Sequence, residues 1–277
     1  ITKKVADKLD EMFRKDRADF ESKWNDMKII IEYGMLTEDK FFDKAKKFAM
    51  YTDTDGGLHT FEAYLESIKE QQTDKDKKTV VLYASNKDAQ HSYIQNAKAK
   101  GYSVLLLDSP LTSHLLQKLE QEHENTTFAR VDSDLIDNLI KKDETRVAKL
   151  SDKQKEELKT RLETIVPTEK FTLKLEDMDS TEAPLVITVP EFMRRMKEMQ
   201  MTGGGGMMGM GDFPDMYDLI VNANHPLASK ILDTEDDEAR SSAVNQALDL
   251  AKLQQNLLHG EELTAFIARS YEMLGNE

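Results

Sequence analysis

Residues Thr79–Leu107 read TVVLYASNKDAQHSYIQNAKAKGYSVLLL. Two apolar runs, Thr79–Ala84 and Tyr102–Leu107, bracket a polar segment that suits a helix over 87–100. Neither run alternates polar with apolar, so both read as strands buried on two faces. Gly101 ends the helix before the second run. A further helix over 110–122 and a third strand over 126–131 extend the series. Strand, helix, strand, helix, strand at this spacing predicts a small parallel sheet with right-handed crossovers. Such sheets bind ligands at the carboxyl ends of their strands, here Ser85–Asp88 and Asp108–Pro110. No glycine-rich loop follows either strand and Asp108 would repel a phosphate, which argues against a nucleotide site.

Upstream, residues 1–70 read as helices. Val5, Leu9, Met12 and Phe13 recur at helical spacing, as do Phe20, Trp24, Met27, Ile30 and Ile31. Phe41, Phe42, Ala45, Phe48 and Ala49 make the next apolar face. Thr52–Gly57 reads as a loop, and Thr60 as the cap of a helix carrying Phe61, Tyr64, Leu65 and Ile68.

Downstream, the charge-dense Lys141–Lys155 marks a domain boundary and leads into a helix over Glu156–Ile165. Phe171–Glu176 alternates as a half-buried strand should. Leu185–Val189 is its expected partner and Asp218–Val221 a third strand. The expected class is therefore mixed α/β and α+β. A first domain, 1–142, holds the helices and a small α/β unit over 79–140; a second, 143–277, is α+β. His225, before Pro226 in Asn222–Leu227, reads as a turn residue rather than a metal ligand. The six histidines are scattered, and no serine–histidine arrangement looks nucleophilic.

The chain has 277 residues, enough for about two domains. With 38 basic and 52 acidic residues the net charge is −14, which disfavours nucleic acid and anionic membrane as partners. There is no cysteine, which suits a reducing cytoplasm. Signal peptide and membrane-length apolar run are both absent from the sequence. Ile1 already looks helical, so the chain is expected to be part of something longer.

The stretch Pro190–Gly211, PEFMRRMKEMQMTGGGGMMGMG, holds seven of the fourteen methionines. Phe192, Met193, Met196 and Met199 share one face of a helix over 190–201, with Arg194, Lys197 and Glu198 on the other side. Gly203–Gly206 end the helix. An ordinary core stripe would use methionine to fill gaps, but Met207, Met208 and Met210 lie on a glycine tether where no regular core holds them. A flexible, polarizable surface for apolar partners of many shapes is the preferred reading.

The end of the chain reads as two more helices. Thr234 with Asp237 resembles a capping box. Ala243, Val244, Ala247, Leu250, Ala251 and Leu253 make a broad stripe; after Gly260, Leu263, Phe266, Ile267, Tyr271 and Leu274 make another. Two helices cannot enclose such wide faces. A second copy would do so in a four-helix bundle about a two-fold axis, with Leu250, Leu253, Leu257, Leu263, Phe266, Ile267, Tyr271 and Leu274 at the interface.

Six stretches in order resemble one family: ITKKVADKL, FESKWNDM, YGMLTEDK, FEAYLESIKEQQ, GYSVLLLDSPL and, most specifically, VNANHPLASKIL. Together they resemble the C-terminal half of the ninety-kilodalton heat-shock chaperones, in their bacterial HtpG form. The resemblance implies an ATP-driven, stress-response dimer that remodels unfolded or partly folded client proteins. It places ATP, Mg and a catalytic arginine before Ile1, leaving no cofactor or catalytic residue in this chain. It makes the helix at Phe192–Met201, with Phe192, Met193, Met196 and Met199, a client-contacting one and the last helices a homodimer interface; Met207 and Met208 join the client surface on the reading of the residues themselves. Where the family often has an acidic–aromatic pair after the second strand, this chain has Ser113 and His114. The residues alone leave open a small-molecule enzyme or sensor with a dimerising helical tail.

Overall fold

A computed structural model describes residues 2–143, 145–202 and 215–275. The chain clusters into two compact units, 1–142 with 191–209 and 143–190 with 210–277.

The first unit opens with α1 (Thr2–Lys15), α2 (Arg17–Ser22), α3 (Trp24–Thr37) and α4 (Asp39–Ala45). Asp16 breaks the first pair by accepting a hydrogen bond from the Asp19 amide at 3.0 Å, a side-chain cap. Phe20, Trp24 and Ile31 are buried, as their spacing predicts, and Met35 joins them. Ile30 is not: with Ile29 and Tyr33 it forms an outward face of α3, 72 % exposed at Ile30 itself. Ile29, Ile30 and Ile31 are consecutive, so apolar character alone could not tell which of them turns inward.

The loop expected over Thr52–Gly57 is a hairpin. Strands β1 (Met50–Asp53) and β2 (Leu58–Thr60) pair antiparallel, and β1 also pairs antiparallel with a later strand. Asp53 makes the turn: its carboxylate accepts from the amides of Asp55 at 2.8 Å and Gly57 at 2.9 Å, and meets His59 Nε2 at 2.7 Å. A Cβ at Gly57 would stand 2.6 Å from that carboxylate, so a larger residue there would have to displace the Asp53 side chain from these partners. Thr60 caps α5 (Phe61–Gln72) as expected. Then follow β3 (Thr79–Ala84), α6 (His91–Ala99), β4 (Val104–Leu106), α7 (Thr112–Glu122), β5 (Thr126–Arg130) and α8 (Ile136–Leu139). The sheet order is β2-β1-β4-β3-β5, with β3 parallel to both β4 and β5. One continuous core joins helices and sheet: Phe20, Trp24 and Phe48 share it with Val81, Leu105, Leu116 and Phe128.

The second unit begins with α9 (Asp152–Glu163), started by a capping box between Ser151 and Gln154. Strands β6 (Phe171–Glu176) and β7 (Leu185–Thr188) follow. Helix α10 (Glu191–Thr202) comes next in sequence but clusters with the first unit, not with the 143–277 domain to which the sequence assigned it. Strand β8 (Tyr217–Asn222) returns to the second unit, and α11 (Pro226–Asp233), α12 (Asp237–Gln254) and α13 (Gly260–Gly275) complete it. β6 and β7 do not pair, contrary to expectation: β8 lies between them, parallel to β6 and antiparallel to β7. The reason is compositional. Leu219, Ile220 and Val221 are all buried and suit a central strand, whereas the alternating β6 shows every second side chain to solvent. The expected cap at Thr234 is also displaced: Asp236 caps α12 by accepting from Ala239, and Thr234 closes α11.

The stretch VNANHP ties this unit together. Asn224 Nδ2 donates to the carbonyls of Val147 at 2.8 Å and Met178 at 2.9 Å, while its Oδ1 accepts from Lys149 N at 2.8 Å. Asn222 Nδ2 reaches Asp179 O at 2.7 Å. His225 is a cap: its Nδ1 accepts from Leu227 N at 3.0 Å, with Pro226 in the first turn of α11. The Asn224→Ala variant leaves backbone groups of two segments without their partner, that of Met178 in a buried setting, and is expected to lower the stability of this unit by about 3 kcal/mol. Differential scanning calorimetry should show the transition of the second unit falling while that of the first stays put.

Candidate functional site

Helix α10 is amphipathic, and it docks by its charged face. Glu191 Oε1 accepts from the Tyr83 hydroxyl at 2.9 Å, and Oε2 from the Arg130 amide at 3.1 Å. Arg194 donates to Glu191 at 2.7 Å, to Glu198 at 2.6 Å and to the Tyr83 hydroxyl. Arg195 donates to Glu191 at 2.7 Å, to Glu120 at 3.0 Å and to the Phe128 carbonyl at 2.9 Å. Ser113 donates to Glu198, so the position that departs from the family pattern serves to seat this helix. Arg194 is only 8 % exposed.

The electrostatics are self-consistent. Burial pushes the Glu191 carboxyl up, but the guanidinium groups of Arg194 and Arg195 outweigh it and hold the acid below the usual carboxylate range. Its ionised form is therefore favoured in the folded state. That contribution is complete above the ordinary value of 4.5 and is lost only as pH falls through the lowered one. Burial, with Glu191 next to it, pushes the Tyr83 hydroxyl up. Tyr83 thus stays protonated, donating to Glu191 while accepting from Arg194.

With the charges turned inward, the apolar stripe faces solvent. Phe192 is 70 % exposed and Met196 42 % exposed; Met193 is also exposed and Met199 half-buried. Met201, on the other side of the helix, is exposed as well. Met207 and Met208 lie outside the described residues. Phe192, Met193 and Met196 thus leave part of their apolar surface in water, where full burial of such a side chain would gain roughly 1.5–3 kcal/mol. The sequence missed the clasp beneath the helix. The signal was there in the spacing of Glu191, Arg194, Arg195 and Glu198, which stacks four charges on adjoining turns.

The carboxyl ends of β3 and β4 form a cavity of about 340 Å³ lined by Tyr83, Leu107, Asp108, Ser113, Arg194 and Met201 among others. The connections leaving these strands diverge, α6 leading to β4 and α7 to β5, which is the usual place for a ligand in an α/β sheet. The β3–α6 loop is already committed: Gln90 Oε1 accepts from the amides of Ser85 at 2.8 Å and Asn86 at 3.0 Å. Those are the donors an anion would need, and Asp108 and Glu198 add negative charge. Among the described residues no group of three or more His, Cys, Asp or Glu is placed to hold a metal, and no helix is long and apolar enough to cross a membrane.

In the second unit, α12 and α13 are bridged by Arg269, which donates to Gln246 at 2.8 Å and Asp249 at 2.5 Å. Phe266 is buried against this pair, its ring 6.0 Å from the Arg269 guanidinium. Leu257 and Leu263 are half-buried. Leu250, Leu253, Ile267, Tyr271 and Leu274 are exposed, Tyr271 by 71 % and Leu274 by 78 %. Five large apolar groups on one helix pair make a patch of the kind that marks an interaction surface.

Comparison with known proteins fits these features. The family profile described as "Hsp90 protein" matches residues 1–276. The chain is 38 % identical over 341 aligned positions to the chaperone protein htpG of Bacteroides fragilis, covering 99 % of this chain and 50 % of that protein. It is 43 % identical over 257 positions to the chaperone protein HtpG of Porphyromonas gingivalis, covering 92 % of this chain and 37 % of that one. The HtpG of Escherichia coli is 24 % identical over 288 positions, covering 99 % and 43 %. The chain spans about half the length of the curated relatives it matches. On this match across nearly its whole length, the chain belongs to the Hsp90 family of chaperones, in its bacterial HtpG form.

Proposed function

We propose that this chain is the dimerising and client-binding half of a cytoplasmic chaperone, with nucleotide chemistry carried by parts of the protein outside it. The observation that carries the reading is the docking of α10 through ion pairs and hydrogen bonds of Glu191, Arg194, Arg195 and Glu198, which leaves Phe192, Met193 and Met196 exposed. A helix seated in that way presents an adaptable apolar surface, suited to unfolded chains of varied sequence. Met207 and Met208 are proposed to extend it. The net charge of −14 supports protein rather than nucleic acid or anionic membrane as partner.

The homodimer is proposed through the exposed faces of α12 and α13. Each large apolar side chain fully buried contributes roughly 1.5–3 kcal/mol. The five on each copy are 38–78 % exposed, so two copies together offer a gain comparable to an association cost of about 4–15 kcal/mol. Phe266 belongs to the packing of its own unit, so deleting α13 would confuse folding with association. The double variant Ile267→Asp, Leu274→Asp alters only exposed positions. It is expected to run as a monomer by light scattering with its thermal transition kept; a dimer would place the interface elsewhere.

The client surface is tested by Met196→Ser combined with Met199→Ser. A core stripe would lose about 2–5 kcal/mol for each change. A surface stripe should keep the melting temperature within a few degrees while suppressing aggregation of an unfolded test protein at least several-fold less well. A melting temperature far below that of the parent with suppression unchanged would return the stripe to the core.

A further inference from the structure

The clasp under α10 holds the helix in a unit to which its flanking chain does not belong. Residues on either side of it, Thr188 in β7 and Tyr217 in β8, are strand residues of the second unit, and α10 clusters with the first. Three features of the docking make it shallow. First, the buried face is ionic, and desolvating ion pairs takes back much of what their attraction gives. Second, the Nε of Arg194 is buried and makes no hydrogen bond, an uncompensated donor at the centre of the contact. Third, the cavity of about 340 Å³ lies under the C-terminal half of the helix, lined by Arg194, Glu198 and Met201, so dispersion contacts are missing there. A well-packed apolar face would have none of these features. The helix itself has only 12 residues, short of what an isolated helix needs to persist in water.

We propose that α10 is a releasable arm: a clasp of Glu191, Arg194 and Arg195 closes on Tyr83, Glu120 and the β5 backbone, and its opening frees the segment without unfolding the α/β sheet. Docked, the arm is an ordered helix with a fixed apolar stripe. Released, it is a tether carrying the same methionines over a wide volume. This concerns regulation of the client-contacting segment and rests on that reading for its consequence, but not for its structural claim. Arg195 is the group to change, because it reaches Glu191, Glu120 and the Phe128 carbonyl at once.

The chain has no cysteine, so labels can be introduced without background. Gln117 on α7 and Gln200 on α10 are both exposed. The chain carrying Gln117→Cys and Gln200→Cys, spin-labelled, reports their separation by double electron–electron resonance with no client present. The parent and Arg195→Lys should give one narrow, short distance, and Arg195→Glu a broad distribution reaching to longer ones, with the thermal transition of the first unit retained. A broad distribution in the parent, a narrow one in Arg195→Glu, or equal broadening in Arg195→Lys and Arg195→Glu would overturn the clasp. So would loss of the first unit's transition in Arg195→Glu, since the helix would then be part of that fold. None of these outcomes depends on whether the methionine stripe binds clients, which the serine variants decide separately.

Discussion

The burial of one guanidinium, that of Arg194, orders everything at the site. It lies between the carboxylates of Glu191 and Glu198 with the Tyr83 hydroxyl beside them, and Tyr83 is a residue of the central strand β3. A helix that turns its arginines toward a sheet must turn its other face to water. The exposure of Phe192, Met193 and Met196 follows directly from that choice. Had the stripe docked instead, α10 would have been an ordinary amphipathic helix, and Arg195 and Glu120 would have stood apart in solvent. The sequence contains both possibilities, and the placement of partners on β3, β5 and α7 decides between them.

Much of the fold was legible because strand composition is a strong signal. TVVLYA and the apolar part of YSVLLL are the adjacent parallel strands β3 and β4, and β5 falls close to where the spacing put it. The hairpin of β1 and β2 was not legible, since strands of 4 and 3 residues show no periodicity and the DTDGG turn between them reads as a loop. The mispairing of β6 with β7 came from taking adjacency in sequence for adjacency in space. The uniformly apolar Leu219–Val221 marks β8 as the central strand, a clue that outranks order along the chain.

At the site, helical spacing identified the stripe but not what held it. The partners of α10 come from residues 61–111 positions away in sequence, such as Arg130 and Tyr83, and single-sequence reasoning has no means of pairing them. Ser113 illustrates the difference: the resemblance marked it as a departure from the family, and its contact with Glu198 gives it a physical role. VNANHP, the most specific of the matching stretches, proves to be structural. Its two asparagines saturate backbone groups of segments that lack strand partners, and its histidine caps a helix. The α12 stripe was read as wider than its unit could cover, yet Val244, Ala247 and Ala251 pack into the core over the sheet, and Phe266 of α13 also turns inward; Leu250, Leu253, Ile267, Tyr271 and Leu274 are the part left exposed.

The central claim, that α10 sits charged face inward and methionine face outward, is tested most directly by the rate of methionine oxidation. Met35 and Met50 are 1 % and 2 % exposed and serve as buried references within the same molecule. Under dilute hydrogen peroxide, peptide mass spectrometry should find Met193 and Met196 oxidised much faster than Met35 and Met50, and slowed when an unfolded protein is present. Oxidation of Met193 and Met196 at the rate of the two buried references would contradict the account.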